Sequence, residues 1–382
     1  MNLALITQDF PPEVGGIQTY AFELARRFTK QCRNFFVIAP YKEQSAQVDH
    51  KLSYPVYRIR CENHFLGLKS MLSAPALLAK NNIRQVFHTQ WQTLPASVFA
   101  RRLGVVDRIY VAVHARELLF NPFEGVPVLQ QGYEWYKRKM LAHVDLFFPV
   151  SNFMADLLQQ YGVMENRIQV VNNGTDPEKF YPLDTGEARK SIGIGADKQK
   201  ILLSTARLVS RKGIDTTLKA FKRVLKNHPD SCYLIVGDGP ERTKLQKLAE
   251  ELNISEAVKF TGLIPHEQLI EFYNACDVFV MPSKTERPNI EGFGIVYLEA
   301  NACRKPVIGT FSGGIPSAIV NGETGLLVQE CDPDALAEAI EYLFSNSDLA
   351  SRMGEQGRRR VVDSANWDQV AQKLLMAMQG TI

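Results

Sequence analysis

The sequence predicts an α/β protein built from two doubly wound, Rossmann-like domains. Short apolar runs rich in Val, Ile and Phe alternate with helical stretches, and each run is continuously apolar rather than alternating. Strands of this kind belong to parallel sheets that helices cover on both faces. The pattern restarts near residue 200, and 382 residues exceed what one ordinary core requires. We therefore expect two βαβ domains facing each other across a cleft, because open α/β sheets bind ligands at the carboxyl ends of their strands.

The predicted strands fall into two groups separated by a polar segment. This segment begins Asn172-Asn173-Gly174-Thr175 and extends to residue 200, and its turn formers and prolines mark a domain boundary. We accordingly expect one domain over residues 1–175 and another over residues 176–365. The predicted strands are 3–7, 35–39, 56–59, 86–89, 109–114, 146–150 and 168–171 in the first half, and 201–205, 233–236, 258–261, 278–281, 306–309 and 326–328 in the second.

The composition is that of a soluble globular protein, with 45% hydrophobic and 22% charged residues. No stretch reaches the roughly 18 apolar residues of a membrane span. The N-terminus lacks a basic leader and a cleavage site, so we interpret it as a first buried strand rather than a signal peptide. The six cysteines form no CxxC pair and most lie in apolar surroundings. This favours buried, reduced thiols in a cytoplasmic protein over disulfides or a zinc site.

The two halves of the chain differ in charge. Residues 1–175 contain 19 Lys and Arg against 13 Asp and Glu, whereas residues 176–382 contain 25 against 28. The basic half could face an anionic membrane surface or a phosphorylated ligand, although a solvated surface explains so small an excess equally well. We expect no nucleic-acid partner. The candidate surface residues, the last three of which follow aromatic positions, are Arg101, Arg102, Lys137, Arg138 and Lys139.

A glycine pair directly follows the first predicted strand. Gly15 and Gly16 would let the backbone approach a ligand closely, and the helix after them offers free N–H groups. The pair therefore fits a phosphate or sugar cradle. A tight strand-to-helix turn would use the same two glycines, and the pair alone does not separate these alternatives.

Two cations follow the first strand of the second half. Arg207 and Lys212 suit a diphosphate, because a guanidinium can bind it bidentately and an ammonium adds a compact point charge. They could also stabilise the negative charge of a departing nucleotide and so replace a metal ion. A solvated basic loop is the alternative.

Two acidic residues flank a glycine-rich loop and the helix that follows it. Glu291 precedes Gly292-Phe293-Gly294, and Glu299 lies about two helical turns further on, which would place both acids on a similar helix face. Carboxylates bind sugars well because each oxygen accepts hydrogen bonds from neighbouring hydroxyls. The loop amides could line the same pocket. A favourable acid at a helix N-terminus explains Glu291 alone but not a second acid in an apolar stretch.

Other motifs carry less weight. Gly237-Asp238-Gly239 follows a strand, but Arg242 replaces the last glycine of a dinucleotide fingerprint. Asp332-Pro333-Asp334 matches the DxD of metal-dependent sugar transfer, yet it opens a helix and is better interpreted as a cap. His114 ends a strand and could reach a ligand, although a lone histidine is more often structural. The other histidines show no metal-ligand spacing.

Taken together, these residues resemble glycosyltransferase family 4, the retaining enzymes of the GT-B fold, over essentially the whole chain. The spacing from Glu291 to Glu299 is similar to the family's signature, and Arg304 stands where the family usually has glycine. Trp367-Asp368 resembles the start of the family's last helix, so residues 366–382 are expected to complete the first domain. Further matching blocks are Gly15-Gly16, Val150-Ser151-Asn152, Asn173-Gly174-Thr175-Asp176, Ser312-Gly313-Gly314-Ile315-Pro316 and Asn321-Gly322-Glu323-Thr324-Gly325.

The resemblance implies a donor site in the second domain. Arg207 and Lys212 would hold the diphosphate of a nucleotide sugar, and Glu299 would bind the ribose. Glu291 and Gly292-Phe293-Gly294 would bind the transferred sugar. Such enzymes are expected to retain anomeric configuration and to need no metal or other cofactor.

The resemblance also implies roles for residues of the first domain. Gly15 and Gly16 would touch the phosphates, His114 would contact the sugar and Asp9 would orient the acceptor. The implied catalytic residues are His114, Glu291, Arg207 and Lys212.

The run from Pro288 to Ala300 is most similar to bacterial phosphatidylinositol-monomannoside mannosyltransferases. This favours GDP-mannose as donor, with a lipid-linked or saccharide acceptor and an α-linkage, in a cytoplasmic protein that could also bind the inner face of the membrane. UDP-glucose or UDP-N-acetylglucosamine is the alternative donor. A sugar-nucleotide epimerase is a more distant alternative, and it should show further acids and histidines around its cleft. A non-catalytic binding module is another, and the presence of Arg207, Lys212, Glu291 and Glu299 argues against it.

Overall fold

The structure is a computed structural model that describes residues 1–195 and 200–380. The chain forms two compact units. Unit 1 comprises Met1–Asn173 and Trp367–Ile382, and unit 2 comprises Gly174–Asn366. Residues 196–199 of the predicted polar segment and residues 381–382 of the predicted last helix lie outside the described residues.

Unit 1 contains a six-stranded parallel sheet with the order β3-β2-β1-β4-β5-β6. Its strands are β1 (Asn2–Ile6), β2 (Asn34–Pro40), β3 (Val56–Ile59), β4 (Gln85–His88), β5 (Arg108–Val113) and β6 (Leu146–Pro149). Its helices are α1 (Gly16–Gln31), α2 (Ser45–Asp49), α3 (Leu66–Lys80), α4 (Leu94–Arg102), α5 (Arg116–Leu119), α6 (Pro127–Ala142) and α7 (Asn152–Gln160), with short 3-10 turns at Asn63–Phe65, Trp91–Thr93 and Glu165–Arg167.

Unit 2 contains a second six-stranded parallel sheet, with the order β12-β11-β10-β7-β8-β9. Its strands are β7 (Lys200–Thr205), β8 (Ser231–Val236), β9 (Val258–Gly262), β10 (Val278–Val280), β11 (Val307–Thr310) and β12 (Gly325–Val328). Its helices are α8 (Thr185–Ser191), α9 (Ile214–Asn227), α10 (Arg242–Glu251), α11 (Leu269–Ala275), α12 (Ile295–Ala302), α13 (Ile315–Ala318), α14 (Pro333–Ser345) and α15 (Ser347–Asp363), with 3-10 turns at Ser210–Lys212, Ser255–Ala257 and His266–Gln268.

Continuous burial explains why these runs form strands. Leu3, Ala4, Leu5 and Ile6 of β1 are all inaccessible to solvent, as expected for a central strand covered on both faces. The prediction of two parallel, doubly wound sheets is confirmed.

The predicted strand at 168–171 is wrong. This segment lies beside β6, to which the N–H groups of Gln169 and Val171 donate, but it forms only an isolated bridge between Phe147 and Ile168. Val170 is 37% exposed, so the run lacks the cover on both faces that defines the other strands.

The last helix, α16 (Trp367–Met378), belongs to unit 1. The buried Trp367 ring lies 5.9 Å from the ring of Tyr20, and Arg27 Nε donates to Asp368 Oδ1 at 3.0 Å. At the other end of the helix, Tyr110 Oη donates to the carbonyl of Met378 at 2.9 Å. These contacts tie the end of the chain to α1 and β5.

Two local expectations need comment. Arg304, where the resemblance leads one to expect glycine, has a φ of 58°, the left-handed conformation in which glycine is least strained. All six cysteines are free, but only Cys232, Cys276 and Cys303 are buried, as expected. Cys32 and Cys61 are partly exposed, and Cys331 is exposed because it occupies a turn directly before α14. In the part of the chain that the structure describes, no helix is long and apolar enough to span a membrane.

Candidate functional site

The polar loops of unit 2 gather at one edge of its sheet. β7 and β10 are parallel neighbours, so the loops that follow their carboxyl ends lie on the same side. One glycine and one hydrogen bond show how closely these loops approach. A Cβ added to Gly213 would lie 1.9 Å from the carbonyl oxygen of Pro282, and Gly213 has a φ of +70°. The N–H of Lys284 donates to the carbonyl of Arg211 at 2.7 Å.

Glu291 is held at this edge by two cations. Its Oε2 accepts hydrogen bonds from Lys212 Nζ at 2.6 Å and from Arg211 Nη1 at 2.8 Å. The side chains of Glu291 and Lys212 are 14% and 13% exposed. Burial alone would raise the pKa of Glu291, but the charges of Lys212 and Arg211 outweigh it and lower this pKa to about 2. Glu291 is therefore an ionised carboxylate, and its contacts with protein groups are all to Oε2 within the described residues.

The backbone around Glu291 is fixed from the other side. The carbonyl of Glu291 accepts from the N–H of Gly314 at 2.8 Å, and a Cβ at Gly313 would lie 2.5 Å from the same carbonyl oxygen. Gly313, which follows β11, therefore has a structural explanation, because only glycine permits this approach.

The loop after Glu291 leaves backbone donors available. The N–H groups of Gly292, Phe293 and Gly294 donate to no other residue in the described ranges 1–195 and 200–380. Gly294 caps α12 with a φ of +92°, and a Cβ there would lie 2.5 Å from Tyr297 Cε2. The arrangement therefore combines an acid, free amides and a helix N-terminus, which together suit a polyhydroxylated, partly anionic ligand.

Glu299 lies deeper in unit 2 than Glu291. It is 7% exposed, and its Oε2 accepts from Tyr273 Oη at 2.6 Å, while Thr205 Oγ1 lies 2.8 Å from the same phenol. Burial raises the pKa of Glu299, although His266 and Tyr273 oppose that change. The expectation that Glu291 and Glu299 share a helix face is wrong, because α12 begins only at Ile295 and Glu291 lies in the loop before it.

Arg207 contrasts with Lys212. Its side chain is exposed and has no hydrogen bond or ion pair with any residue that the structure describes. The loop that carries it rests on the Gly237-Asp238-Gly239 turn: a Cβ at Gly239 would lie 2.4 Å from the carbonyl of Leu208. This close approach explains the two glycines that resemble a dinucleotide fingerprint. Burial lowers the pKa of Lys212, against the influence of Glu291, whereas Arg207 remains available to a mobile anion.

In unit 1, Asp9 follows β1 and is held by two side-chain amides. Gln18 Nε2 donates to Oδ1 at 3.0 Å, and Gln90 Nε2 donates to Oδ2. Burial raises the pKa of Asp9, and the hydrogen bond from Gln90 opposes the rise. Because these amides come from α1 and from the loop after β4, the carboxylate is fixed where two strands end.

The glycine pair in unit 1 has no full structural explanation. A Cβ at Gly15 would meet only the movable end of the Gln18 side chain, at 2.4 Å. A Cβ at Gly16, the first residue of α1, would have no atom within 4 Å. The protein's own packing therefore does not require glycine at position 16, whereas the close approach of a ligand would.

His114 follows β5 and is 9% exposed. Its ring packs edge-on against Tyr20 with 4.6 Å between centroids, and burial lowers its pKa to about 3. Its Nε2 is buried and has no hydrogen-bond partner among the described residues. The imidazole is therefore neutral at physiological pH and retains an unused polar atom.

Two aspects of the predicted basic surface need correction. Lys137 is not a surface residue: its side chain is fully buried, and Nζ donates to the carbonyl of Leu118 at 2.6 Å and to Glu134 at 2.9 Å. Arg101 is only partly exposed and is paired with Asp145. An alternative basic and apolar surface, which the sequence did not suggest, lies along α3. Phe65, Leu68 and Leu72, here called the apolar stripe, are 46%, 56% and 88% exposed.

The structure also explains the Asp332-Pro333-Asp334 sequence. Asp332 caps α14, accepting from the N–H groups of Asp334 and Ala335, so the interpretation of the DxD sequence as a cap is confirmed. No cluster of three or more potential metal ligands occurs in the described part of the chain. The sequence did not indicate Arg211, Tyr273, Gln18 or Gln90. Arg211 is adjacent to Lys212, which was a usable signal, whereas the other three become neighbours of the acids only through folding.

Known proteins resemble this chain over its whole length. The family model of glycosyltransferase family 4 matches residues 14–179, and that of the group 1 glycosyl transferases matches residues 185–360. The chain is 30% identical to the GDP-mannose-dependent alpha-(1-6)-phosphatidylinositol monomannoside mannosyltransferase of Mycolicibacterium smegmatis, over 99% of this chain and 98% of that protein. It is 29% identical to the alpha-maltose-1-phosphate synthase of the same organism, over 98% of each chain.

The fold is also shared with solved structures. Sucrose-phosphate synthase from Thermosynechococcus elongatus superposes with a TM-score of 0.81 at 24% identity, covering 99% of this chain and 98% of that one. The two Rossmann-like units are those of the GT-B fold. The family models and the full-length relatives establish that this chain belongs to glycosyltransferase family 4 and is a glycosyltransferase.

Proposed function

We propose that the protein transfers mannose from GDP-mannose to a lipid-linked or saccharide acceptor, forming an α-linkage. The observation that carries this proposal is the set of charged groups at one edge of the unit 2 sheet. Arg207 is exposed and unpaired among the described residues, while Glu291 is an ionised, anchored carboxylate beside three free amides. The mannosyltransferase relative, similar over the full length, supports mannose as the sugar.

The proposed donor contacts follow from the chemistry of each group. Arg207 and Lys212 bind the diphosphate, with Arg207 the more available of the two. Glu299 accepts hydrogen bonds from the ribose, for which it would use the oxygen that Tyr273 does not occupy. Glu291 Oε1 and the amides of Gly292-Phe293-Gly294 bind the hydroxyls of the sugar. Gly15 and Gly16 let the backbone approach the phosphates, and Asp9 orients the acceptor.

The chemistry that we propose is attack on the same face as the departing diphosphate. A double displacement needs a carboxylate nucleophile beneath the anomeric carbon. Glu291 is poorly suited to that role, because two cations hold its Oε2 and its low pKa makes it a weak base. In the alternative, the leaving diphosphate accepts the proton of the acceptor hydroxyl while Arg207 and Lys212 stabilise its charge. These cations would do the work of a metal ion, so we propose that catalysis is metal-independent.

His114 completes the proposed catalytic set with Glu291, Arg207 and Lys212. A neutral imidazole with a low pKa can donate or accept a hydrogen bond at the sugar without carrying charge. The unpartnered Nε2 is the atom that would be satisfied by a sugar hydroxyl, because a buried polar atom without a partner costs free energy.

The apolar stripe supports a lipid-linked acceptor and a peripheral location at a membrane. It begins near the loop of Gly15 and Gly16, because Asn63, two residues before Phe65, donates through Nδ2 to Glu13 at 2.9 Å. Lys69 and Arg60 add positive charge to the same surface. An anionic lipid surface fits a face that is both apolar and basic.

UDP-glucose and UDP-N-acetylglucosamine remain the alternative donors. A relative with a different product, the alpha-maltose-1-phosphate synthase, is 29% identical over the same span. Similarity at this level therefore does not separate donors within the family.

Slow hydrolysis of a panel of nucleotide sugars in the absence of acceptor tests the proposal. We expect GDP-mannose to be hydrolysed faster than UDP-glucose or UDP-N-acetylglucosamine, with undiminished rates in excess chelator. Faster hydrolysis of a UDP-sugar would reassign the donor, and epimerised products would indicate an epimerase. A complete loss of activity that Mg²⁺ or Mn²⁺ restores would overturn metal independence. Once an acceptor has been identified, NMR of the anomeric proton of the product distinguishes an α- from a β-linkage.

A further inference from the structure

The turn that carries His114 is held in an unusual conformation. Ala115, the next residue, has a φ of 147° and a ψ of −72°. L-residues with side chains rarely adopt a positive φ, because Cβ then crowds the backbone, and a residue kept there needs surrounding structure to hold it. Strain of this kind is concentrated at functional sites.

A buried carboxylate holds this turn. Glu117, 6% exposed, accepts from the N–H of Ala115 at 3.2 Å through Oε1 and at 3.1 Å through Oε2, and from the N–H of His114 through Oε1. The backbone of Glu117 is fixed in turn, because Trp91 Nε1 donates to its carbonyl at 2.7 Å. The carboxylate therefore satisfies the two amides that the turn exposes.

The consequence is a defined position for the imidazole. β5 fixes the chain before His114, the carboxylate fixes the N–H groups of His114 and Ala115, and the ring of Tyr20 packs against the imidazole. Tyr20 Oη, like His114 Nε2, is buried without a partner in the described structure, so neither hydroxyl nor imidazole is directed by a hydrogen bond of its own. The orientation of the imidazole depends on the turn and on packing alone.

We propose that Glu117 is a positioning residue for the transfer reaction, which holds the strained turn at Ala115 and so keeps the imidazole of His114 in the orientation that its proposed role requires. This inference rests on the proposed function of His114. A carboxylate is required because both of its oxygens accept. In glutamine at this position, one oxygen would be replaced by an NH₂ group that faces N–H donors.

A set of variants at three positions tests the proposal. Glu117→Gln should lower the rate of donor hydrolysis by about tenfold or more, since small misplacements of catalytic groups cost up to about 10²-fold. The affinity for GDP or UDP should change less than about twofold, because unit 2 is proposed to bind the diphosphate. Adding Ala115→Gly should restore most of the lost rate, since glycine adopts a positive φ without help. Ala115→Gly alone is the reference for the double variant.

Two further measurements separate positioning from general stability. In ¹⁵N-histidine-labelled protein, Glu117→Gln should shift the imidazole resonances of His114, and the added Ala115→Gly should move them back. In a His114→Ala background, Glu117→Gln should cause no further loss of rate. If Glu117→Gln does not fold, Glu117→Asp, which keeps the charge on a shorter side chain, is measured in its place.

Each result bears on one claim. The positioning role is overturned if Glu117→Gln retains full activity. It is also overturned if Ala115→Gly does not restore the lost rate and the His114 resonances are unshifted. If His114→Ala is as active as the parent, the proposed role of His114 is wrong and the inference falls with it. If His114→Ala is impaired and Glu117→Gln impairs it further by the same factor, only the positioning role is refuted.

Discussion

At the residue scale, the two cations that the sequence presents as a pair have different surroundings. Lys212 shares the carboxylate of Glu291 with Arg211, whereas Arg207 is exposed and has no side-chain partner among the described residues. The sequence could not show this, because Glu291 lies 79 residues after Lys212 and meets it only where the loops after β7 and β10 converge. Because their surroundings differ, we expect substitutions of Arg207 and Lys212 to have different effects.

Arg207→Ala should weaken the binding of a nucleoside diphosphate by about 1.5–3 kcal/mol, the usual size of a hydrogen bond to a charged group. Stability should change little, since the side chain is exposed and supports no described contact. Calorimetric titration with GDP and UDP measures the effect. Arg223→Ala is the control, because Arg223 is a partly exposed arginine of unit 2 that pairs with Asp334 and Glu338. Equal affinities for parent and Arg207→Ala would remove Arg207 from the site.

Glu291→Gln should lower kcat by about tenfold or more, because it removes a charged acceptor from the sugar hydroxyls. Diphosphate affinity should not fall, because the change releases Lys212 and Arg211 from their ion pairs. Steady-state kinetics and calorimetry on the same preparations separate the two effects. Glu286→Gln is the control, since Glu286 lies in the same loop and its carboxylate accepts, among the described residues, only from Ser210 Oγ at 2.6 Å. A stable glycosyl adduct on Glu291, seen by mass spectrometry of enzyme mixed with donor, would instead identify it as a nucleophile.

At the element scale, the sequence predicts strands better than it predicts where loops become helices. Buried strands are visible in the sequence because both faces are covered, so nearly every side chain is apolar, as in β1 and β8. The start of α12 is less visible, because a residue with φ of +92° at Gly294 delays the helix and leaves Glu291 outside it. The composition of the loop was informative about chemistry, but its conformation depends on contacts with Gly314 and Tyr297 that the sequence does not reveal.

The glycines at two helix starts should respond differently to substitution. Gly16→Ala should leave the thermal midpoint unchanged or raised, because the new Cβ meets no atom within 4 Å and alanine favours helix by up to about 1 kcal/mol. Its donor hydrolysis should nevertheless fall, because the methyl group would occupy the space proposed for the phosphates.

Gly294→Ala is the contrasting variant. Its Cβ would lie 2.5 Å from Tyr297 Cε2 on a backbone with φ of +92°, so it should lose stability by about 1–3 kcal/mol. Thermal melts and donor hydrolysis on both variants make the comparison. If the Gly16→Ala protein is as active as the parent, the glycine pair has a purely structural role.

At the scale of the whole molecule, the alternation of apolar runs with helices, and its restart near residue 200, were enough to predict two parallel sheets. The family motifs pointed to the acids and cations of the proposed site. What could not be predicted is how single side chains are used within each unit. Lys137 follows aromatic residues in a basic run and was expected on the surface, yet folding buries it against Tyr133 and Tyr161. Helical periodicity alone does not show which face of α6 packs inward, and a lysine whose ammonium finds a carbonyl and a carboxylate can be buried.

The last prediction concerns membrane association through the apolar stripe of α3. Leu68 and Leu72 are four residues apart on α3 and therefore share one helix face. Phe65 ends the 3-10 turn directly before this helix, and all three side chains are exposed. The exposed Lys69 directly follows Leu68, and its Nζ donates to the carbonyl of Arg60 at 3.2 Å, so basic residues lie beside this face. We expect the protein to cosediment with vesicles that contain anionic lipid, and we expect the bound fraction to fall as salt rises, because screening weakens the attraction of exposed charges.

Replacing Leu68 and Leu72 together by Gln should reduce the vesicle-bound fraction by more than about tenfold, since burying one leucine side chain is worth about 1.5–3 kcal/mol. Leu263→Gln is the matched control, because Leu263 is an 80% exposed leucine of unit 2. Hydrolysis of donor in solution should be unaffected in all of these variants, which separates loss of membrane binding from loss of fold. If the parent protein does not sediment with anionic vesicles even at low salt, or if the double variant binds as well as the parent, the stripe has another role and the basic excess of the N-terminal half is a solvated surface.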